Sequence, residues 1–122
     1  MAKKILIIED DFFIRDLYQL QAKKSGFEVI TAVDGEEGVK KARSESPDLL
    51  LIDLMLPSLD WISIIKTLKA DPKFKDIPCI IVTNFEGSGK DKEAKDAGAA
   101  DYLLKIKNTP EKVIEAAKKY LK

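Results

Sequence analysis

The stretch LLLIDLMLPSLDW, Leu49 to Trp61, begins with four consecutive aliphatic residues that run straight into the carboxylate of Asp53. A run that is apolar on both faces fits a strand covered on both sides, as in a parallel sheet, and not a strand with one solvated face. An ionised carboxylate at the end of such a strand costs several kcal/mol unless it is paired or holds a metal. Asp53 is therefore either a turn residue or the place where something cationic sits.

Outward from this stretch the same pattern repeats. KILII, FEVITA, DLLLID, PCIIVT and ADYLLK read as strands. Between and after them FFIRDLYQLQAKK, DGEEGVKKARSE, SIIKTLKAD, the polar segment around KDKEAKDAG and TPEKVIEAAKKYLK carry helical spacing. Strands alternating with helices predict a doubly wound α/β domain, with right-handed crossovers and helices on both faces of the sheet. The punctuation agrees: Ser25-Gly26 closes the first helix, Asp34 caps the second, Pro47 follows it, and Asp71-Pro72 stops the third. Thr109-Pro110 opens the last helix, whose Val113, Ile114, Ala117 and Leu121 form one apolar stripe. The fourth helix has only Ala94 and Ala97 to bury and is predicted to be the most weakly held.

The 122 residues suffice for one domain, residues 1–122, and for a single core. The 21 basic and 21 acidic residues cancel, which disfavours binding to nucleic acid or to an anionic membrane through bulk charge. The apolar run after Lys3-Lys4 is too short for a signal peptide or a membrane span. Cys79, the single cysteine, reads as a core residue in a reducing, cytoplasmic setting. No histidine is present, so histidine ligands, triads and an internal phosphohistidine are excluded.

In open parallel sheets ligands sit beyond the carboxyl ends of the strands. Here those ends carry Glu9-Asp10-Asp11, Asp53, Thr83 and Lys105. Each alone has an ordinary explanation as a cap or a surface charge. Together they gather carboxylates, a hydroxyl and an ammonium on one edge. Oxygen ligands without histidine suit Mg²⁺, which takes one or two carboxylates plus a phosphate. Phosphoryl transfer needs positioning and charge neutralisation, which such a set supplies, with Asp53 as the nucleophile.

Glu9-Asp10, Asp53 followed by Pro57, Thr83 and Lys105, at these spacings, resemble the receiver domain of two-component response regulators over essentially the whole chain. The resemblance implies a flavodoxin-like fold with strand order 2-1-3-4-5. It also implies phosphorylation of Asp53 by a phosphohistidine on a sensor histidine kinase or a histidine phosphotransfer protein, and an unidentified downstream protein target. Glu9, Asp10, Asp53 and the backbone carbonyl of Met55 would hold Mg²⁺, and Thr83 and Lys105 would contact the phosphoryl group. Tyr102 matches an aromatic switch coupled to Thr83. Such a protein catalyses only its own phosphorylation and dephosphorylation. Three departures stand out: Trp61 where the family usually has glycine, Ile106 where it usually has proline after the lysine, and the absence of an output domain. The chain thus reads as a stand-alone receiver or a fragment of something larger.

Other readings carry less. GSGKD at Gly87 to Asp91 resembles a P-loop, but Asn84 and Asp91 occupy positions that need glycine and a hydroxyl. A haloacid-dehalogenase-type phosphatase needs a second aspartate where Met55 stands. The alternative that remains is a receiver-like interaction module that is never phosphorylated. Two further expectations concern surfaces: surplus apolar residues of the first helix, Phe13, Ile14 or Leu17, form a docking patch. Met55 and Phe85, being apolar, shield a phosphoryl group on Asp53 from water, so that it is lost slowly.

Overall fold

The computed structural model describes residues 2–53, 61–83 and 90–121, apart from the side chains of Trp61 and Lys90. The chain runs β1 (Lys4–Glu9), α1 (Phe12–Lys24), β2 (Glu28–Ala32), α2 (Gly35–Glu45), β3 (Leu49–Asp53), α3 (Trp61–Lys69) and β4 (Cys79–Thr83). It continues through α4 (Lys90–Ala97), β5 (Asp101–Leu104), a 3-10 turn at Lys105–Lys107, and α5 (Pro110–Tyr120). The strands form one parallel sheet in the order β2-β1-β3-β4-β5, as expected.

Local chemistry sets the helix ends. Asp11 accepts a hydrogen bond from the Ile14 amide at 3.0 Å and so caps α1, and Asp34 accepts from the Glu37 amide at 2.8 Å at the start of α2. Thr109 caps α5 in the same way, through the Lys112 amide at 3.2 Å, with Pro110 next to it. After α1 the chain reverses through Gly26 at φ +89°, a conformation that glycine adopts without strain.

The alternation of side chains along the strands divides the core into two layers. Leu6, Ile8, Leu50, Ile52 and Ile81 face α2, α3 and α4, meeting Ala42, Ile64, Ile65, Leu68 and Ala94. Ile5, Ile7, Leu49, Leu51, Ile80 and Val82 face α1 and α5, meeting Tyr18, Ala22, Val113, Ile114 and Ala117. Leu121 packs at the margin of this second layer, one residue past the helix. On the first layer α2 lies so close that a Cβ at Gly38 would come within 2.9 Å of Ile8 Cγ1.

Two details position the site. In the β1–β3 register Glu9 stands opposite Asp53, and in the β4–β5 register Thr83 stands opposite Leu104. Lys105 was expected to end the fifth strand but instead begins the 3-10 turn, which Asn108 braces by donating to the Leu104 carbonyl at 2.9 Å. The sheet thus delivers Glu9, Asp53 and Thr83 directly, while the turn delivers the lysine.

Candidate functional site

Parity along β1 and β3 sends Glu9 and Asp53 to the same side of the sheet as Ile7 and Leu51, the α1/α5 side. Both acids are 0% exposed. Lys105 reaches between them: its Nζ lies 2.6 Å from Asp53 Oδ1 and 3.9 Å from Glu9 Oε2. The other Glu9 oxygen, Oε1, accepts from the Asp11 amide at 2.9 Å, and Arg15 Nη1 donates to the Glu9 carbonyl at 3.0 Å. Asp11 and Arg15 thereby tie the end of β1 to the first turns of α1.

One ammonium does not satisfy two buried carboxylates. Glu9 Oε2 and both Asp53 oxygens are buried without a well-aligned hydrogen bond, despite the short ion pair to Lys105. Burial raises the Glu9 pKa first, and the neighbouring Asp53 raises it further, while the Asp11 amide and Lys105 pull it down. Burial wins because the desolvation of a carboxylate exceeds what one amide and a 3.9 Å ammonium return. Orphaned hard oxygens of this kind fit a divalent cation. Among the described residues no three acidic, histidine or cysteine side chains already form a metal cage. Mg²⁺ needs only one or two carboxylates, completed by water and phosphate oxygens. Asp10 follows Glu9 at the strand end and is partly exposed. Met55 lies outside the described residues, as do Asp60, Phe85 and the side chain of Trp61.

Thr83, 3% exposed, ends β4, and Tyr102 lies on β5, the edge strand. Their side chains are in contact: burial raises the Tyr102 pKa, Asp91 raises it further, and a hydrogen bond with the Thr83 hydroxyl lowers it. The peptide between Lys105 and Ile106 is trans, and the Ile106 side chain is 82% exposed. The Cys79 thiol is pushed up to about 11 by burial and is an inert part of the core.

On α1 the exposed apolar residues are Phe12, Phe13, Leu17 and Leu20. Ile14, expected among them, packs instead against the second core layer, because it shares a helix face with Tyr18 and Ala22. Tyr18 drew no attention as a site residue. It is 2% exposed, and burial first, then the charges of Asp53 and Glu9, raise its pKa. Its sequence signal was a tyrosine on an otherwise apolar stripe, since a buried phenol usually finds a polar partner.

A family model described as the response regulator receiver domain matches residues 5–118. The polar-differentiation response regulator DivK of Brucella ovis is 34% identical over 121 residues, covering 99% of this chain and 98% of DivK. The alkaline phosphatase synthesis transcriptional regulatory protein PhoP of Bacillus subtilis is 41% identical over 110 residues, covering 86% of this chain but only 43% of PhoP. The chain thus spans less than half the length of that relative. The high-resolution structure of the chemotaxis response regulator CheY4 of Vibrio cholerae superposes with a TM-score of 0.89 at 26% identity, covering 98% of this chain and 99% of CheY4.

Proposed function

Because the chain belongs to the response regulator receiver-domain family of two-component signalling, we propose that Asp53 accepts a phosphoryl group from a phosphohistidine on a partner protein. The observation that carries this is the 2.6 Å approach of Lys105 Nζ to a fully buried Asp53 whose oxygens lack aligned donors. Such a carboxylate is held in place yet incompletely stabilised, which suits a nucleophile better than a structural ion pair.

In the transfer an Asp53 oxygen forms a bond to phosphorus as the phosphorus–nitrogen bond to the donor imidazole breaks. The freed imidazole then takes up a proton from solvent. Lys105 spreads its charge over the carboxylate and the incoming phosphoryl oxygens, and the Thr83 hydroxyl donates to one of them. Glu9, Asp10, Asp53 and the Met55 carbonyl would hold Mg²⁺, which neutralises charge on the phosphoryl group when bound. The chain contains no histidine, so the donor comes from a sensor histidine kinase or a histidine phosphotransfer protein. The exposed Phe12, Phe13, Leu17 and Leu20 of α1 give it an apolar surface to dock on. Once Asp53 is phosphorylated, the Thr83 hydroxyl moves from the Tyr102 phenol to the phosphoryl oxygens, which changes the α4–β5 face offered to a downstream protein.

The test is incubation with a small phosphodonor and Mg²⁺ followed by intact mass. Wild type, Asp48→Ala and Asp60→Ala should each gain one phosphoryl mass, and Asp53→Ala none. Phosphorylation that survives Asp53→Ala overturns the assignment. No gain in wild type would favour an interaction module that is never phosphorylated.

A further inference from the structure

Lys69, the last residue of α3, carries an ammonium that the transfer described above does not use. Its Nζ donates to the carbonyls of Lys75, at 3.1 Å, and of Ile77, and reaches that of Phe74 at 3.5 Å. An ammonium has three N–H donors, so these three acceptors account for all of them. The three carbonyls belong to the connection between α3 and β4, which Phe74, 1% exposed, also fastens to the first core layer. The same lysine reaches a second element. Gly98 follows α4 at φ +117°, and a Cβ there would come within 3.1 Å of Lys69 Cγ and 3.5 Å of its Cε. The stem therefore runs across the end of α4, and its head ends in the α3–β4 connection.

Several fastenings of α4 lie at that same end. Ala94 and Ala97 pack on the core. The Gly98 amide donates to the Lys95 carbonyl at 3.0 Å and the Ala99 amide to the Ala94 carbonyl at 2.9 Å, the pair of bonds that closes a helix through a glycine of positive φ. The Ala100 amide donates to the carbonyl of Cys79, the first residue of β4, at 2.8 Å. Asp91, Lys92 and Glu93, in the first turn, are exposed. A helix between two parallel strands runs back along the sheet, so this first turn lies toward the edge that holds Thr83, and the last turn toward the opposite edge.

We propose that Lys69 is a clamp that joins the α3–β4 connection to the end of α4, so that the two open together and α4 pivots about Gly98 from its first turn. A stem whose head is tied at three points is a stiff support, because the hydrogen bonds offset the cost of ordering its rotamers. A pivot at the last turn places the displacement at the edge where Asp53 and Thr83 sit and leaves the start of β4 undisturbed. The link from pivot to site rests on Asp53 being the phosphoryl acceptor, although the clamp does not.

The experiment is amide exchange in metal-free buffer on wild type, Lys69→Met and Lys66→Met. Lys69→Met keeps an unbranched stem and removes the ammonium, while Lys66→Met removes an exposed ammonium from the same helix turn. The Ile77 amide, bonded to the Phe74 carbonyl at 3.2 Å, reports on the connection, and those of Gly98, Ala99 and Ala100 report on the end of α4. Lys69→Met should speed exchange at both places at least about tenfold, the scale of losing hydrogen bonds from a charged donor. Lys66→Met should change neither. Acceleration of Ile77 alone, or an equal effect of the two variants, overturns the clamp. Wild type supplies a check that needs no variant: in low urea the opening of Ile77 and of Ala99 should follow one denaturant dependence, and separate dependences overturn the joint opening. Adding Mg²⁺ and beryllium fluoride, a phosphoryl mimic, to wild type should change exchange at Lys95 to Ala97 more than at Gly98 to Ala100. A change as large at Gly98 to Ala100, or no change at either, overturns the pivot. The acceptor reading is decided separately, by whether wild type gains a phosphoryl mass.

Discussion

Asp53 sits at the end of a strand whose other residues are all aliphatic, and its nearest cation also answers to a second buried acid. Sharing one ammonium leaves each carboxylate short of charge compensation, and that shortage is what a divalent cation would relieve. Lys105 then has its largest effect when negative charge builds on the transferring group. Lys105→Met should slow phosphorylation by a small phosphodonor about 100-fold, the usual scale for losing one preorganised electrostatic donor. Intact mass should still show modification at Asp53 after long incubation. A rate within twofold of wild type would mean that the ion pair is structural. At this scale the meeting of Glu9, Asp53 and Lys105 was legible from their convergence on one edge of the sheet, although each alone has an ordinary explanation. Tyr18 was not: helical spacing accounts for its burial, but the acids whose charge raises its pKa come from distant strands.

Among the elements, α1 and α4 do different work. α1 has more apolar residues than one buried stripe can use, and the excess lies outside, with Phe13 at 69% exposure. The sequence showed the surplus but not its direction: the helix phase turns Ile14 inward and Phe12 and Leu20 outward. Phe13→Ser should weaken phosphoryl transfer from a protein phosphohistidine at least about fivefold through lost apolar contact, and leave the reaction with a small phosphodonor unchanged. Equal effects on both donors would place the residue in the site and not on a docking surface. α4, by contrast, buries only Ala94 fully among its described side chains, as its polar sequence foretold. A helix that packs on the core through Ala94 and the partly buried Ala97 opens at little cost. Adding Mg²⁺ and a phosphoryl mimic should change amide exchange most from Phe85 to Tyr102. An unchanged pattern there would deny any coupling between Asp53 and this face.

The parallel sheet and its two covered faces followed from apolar runs and punctuation, which depend on periodicity that the sequence carries openly, whereas the strand order followed only from the resemblance to receiver domains. What periodicity does not carry is the charge state of groups brought together from distant strands, and that state makes stability depend on pH. The Glu9 pKa is raised in the folded protein, chiefly by burial and then by Asp53. In the unfolded chain it returns to its ordinary value near 4.5. Above that value the folded state therefore holds a proton that the unfolded state releases. Stability from this group is complete below about pH 4.5 and declines as pH rises toward the folded value. The slope is at most about 1.4 kcal/mol per pH unit for one proton. In metal-free buffer the urea midpoint should thus fall between pH 5 and pH 8, and Glu9→Gln, which carries no charge at either pH, should remove most of that fall. Mg²⁺ should oppose it, because a cation that binds the ionised pair in the folded state alone stabilises that state by mass action, and does so more at pH 8 than at pH 5. A pH dependence that is the same in Glu9→Gln and wild type would mean that the buried acid pair does not set the stability of the fold. A Mg²⁺ effect as large at pH 5 as at pH 8 would place metal binding on groups other than Glu9.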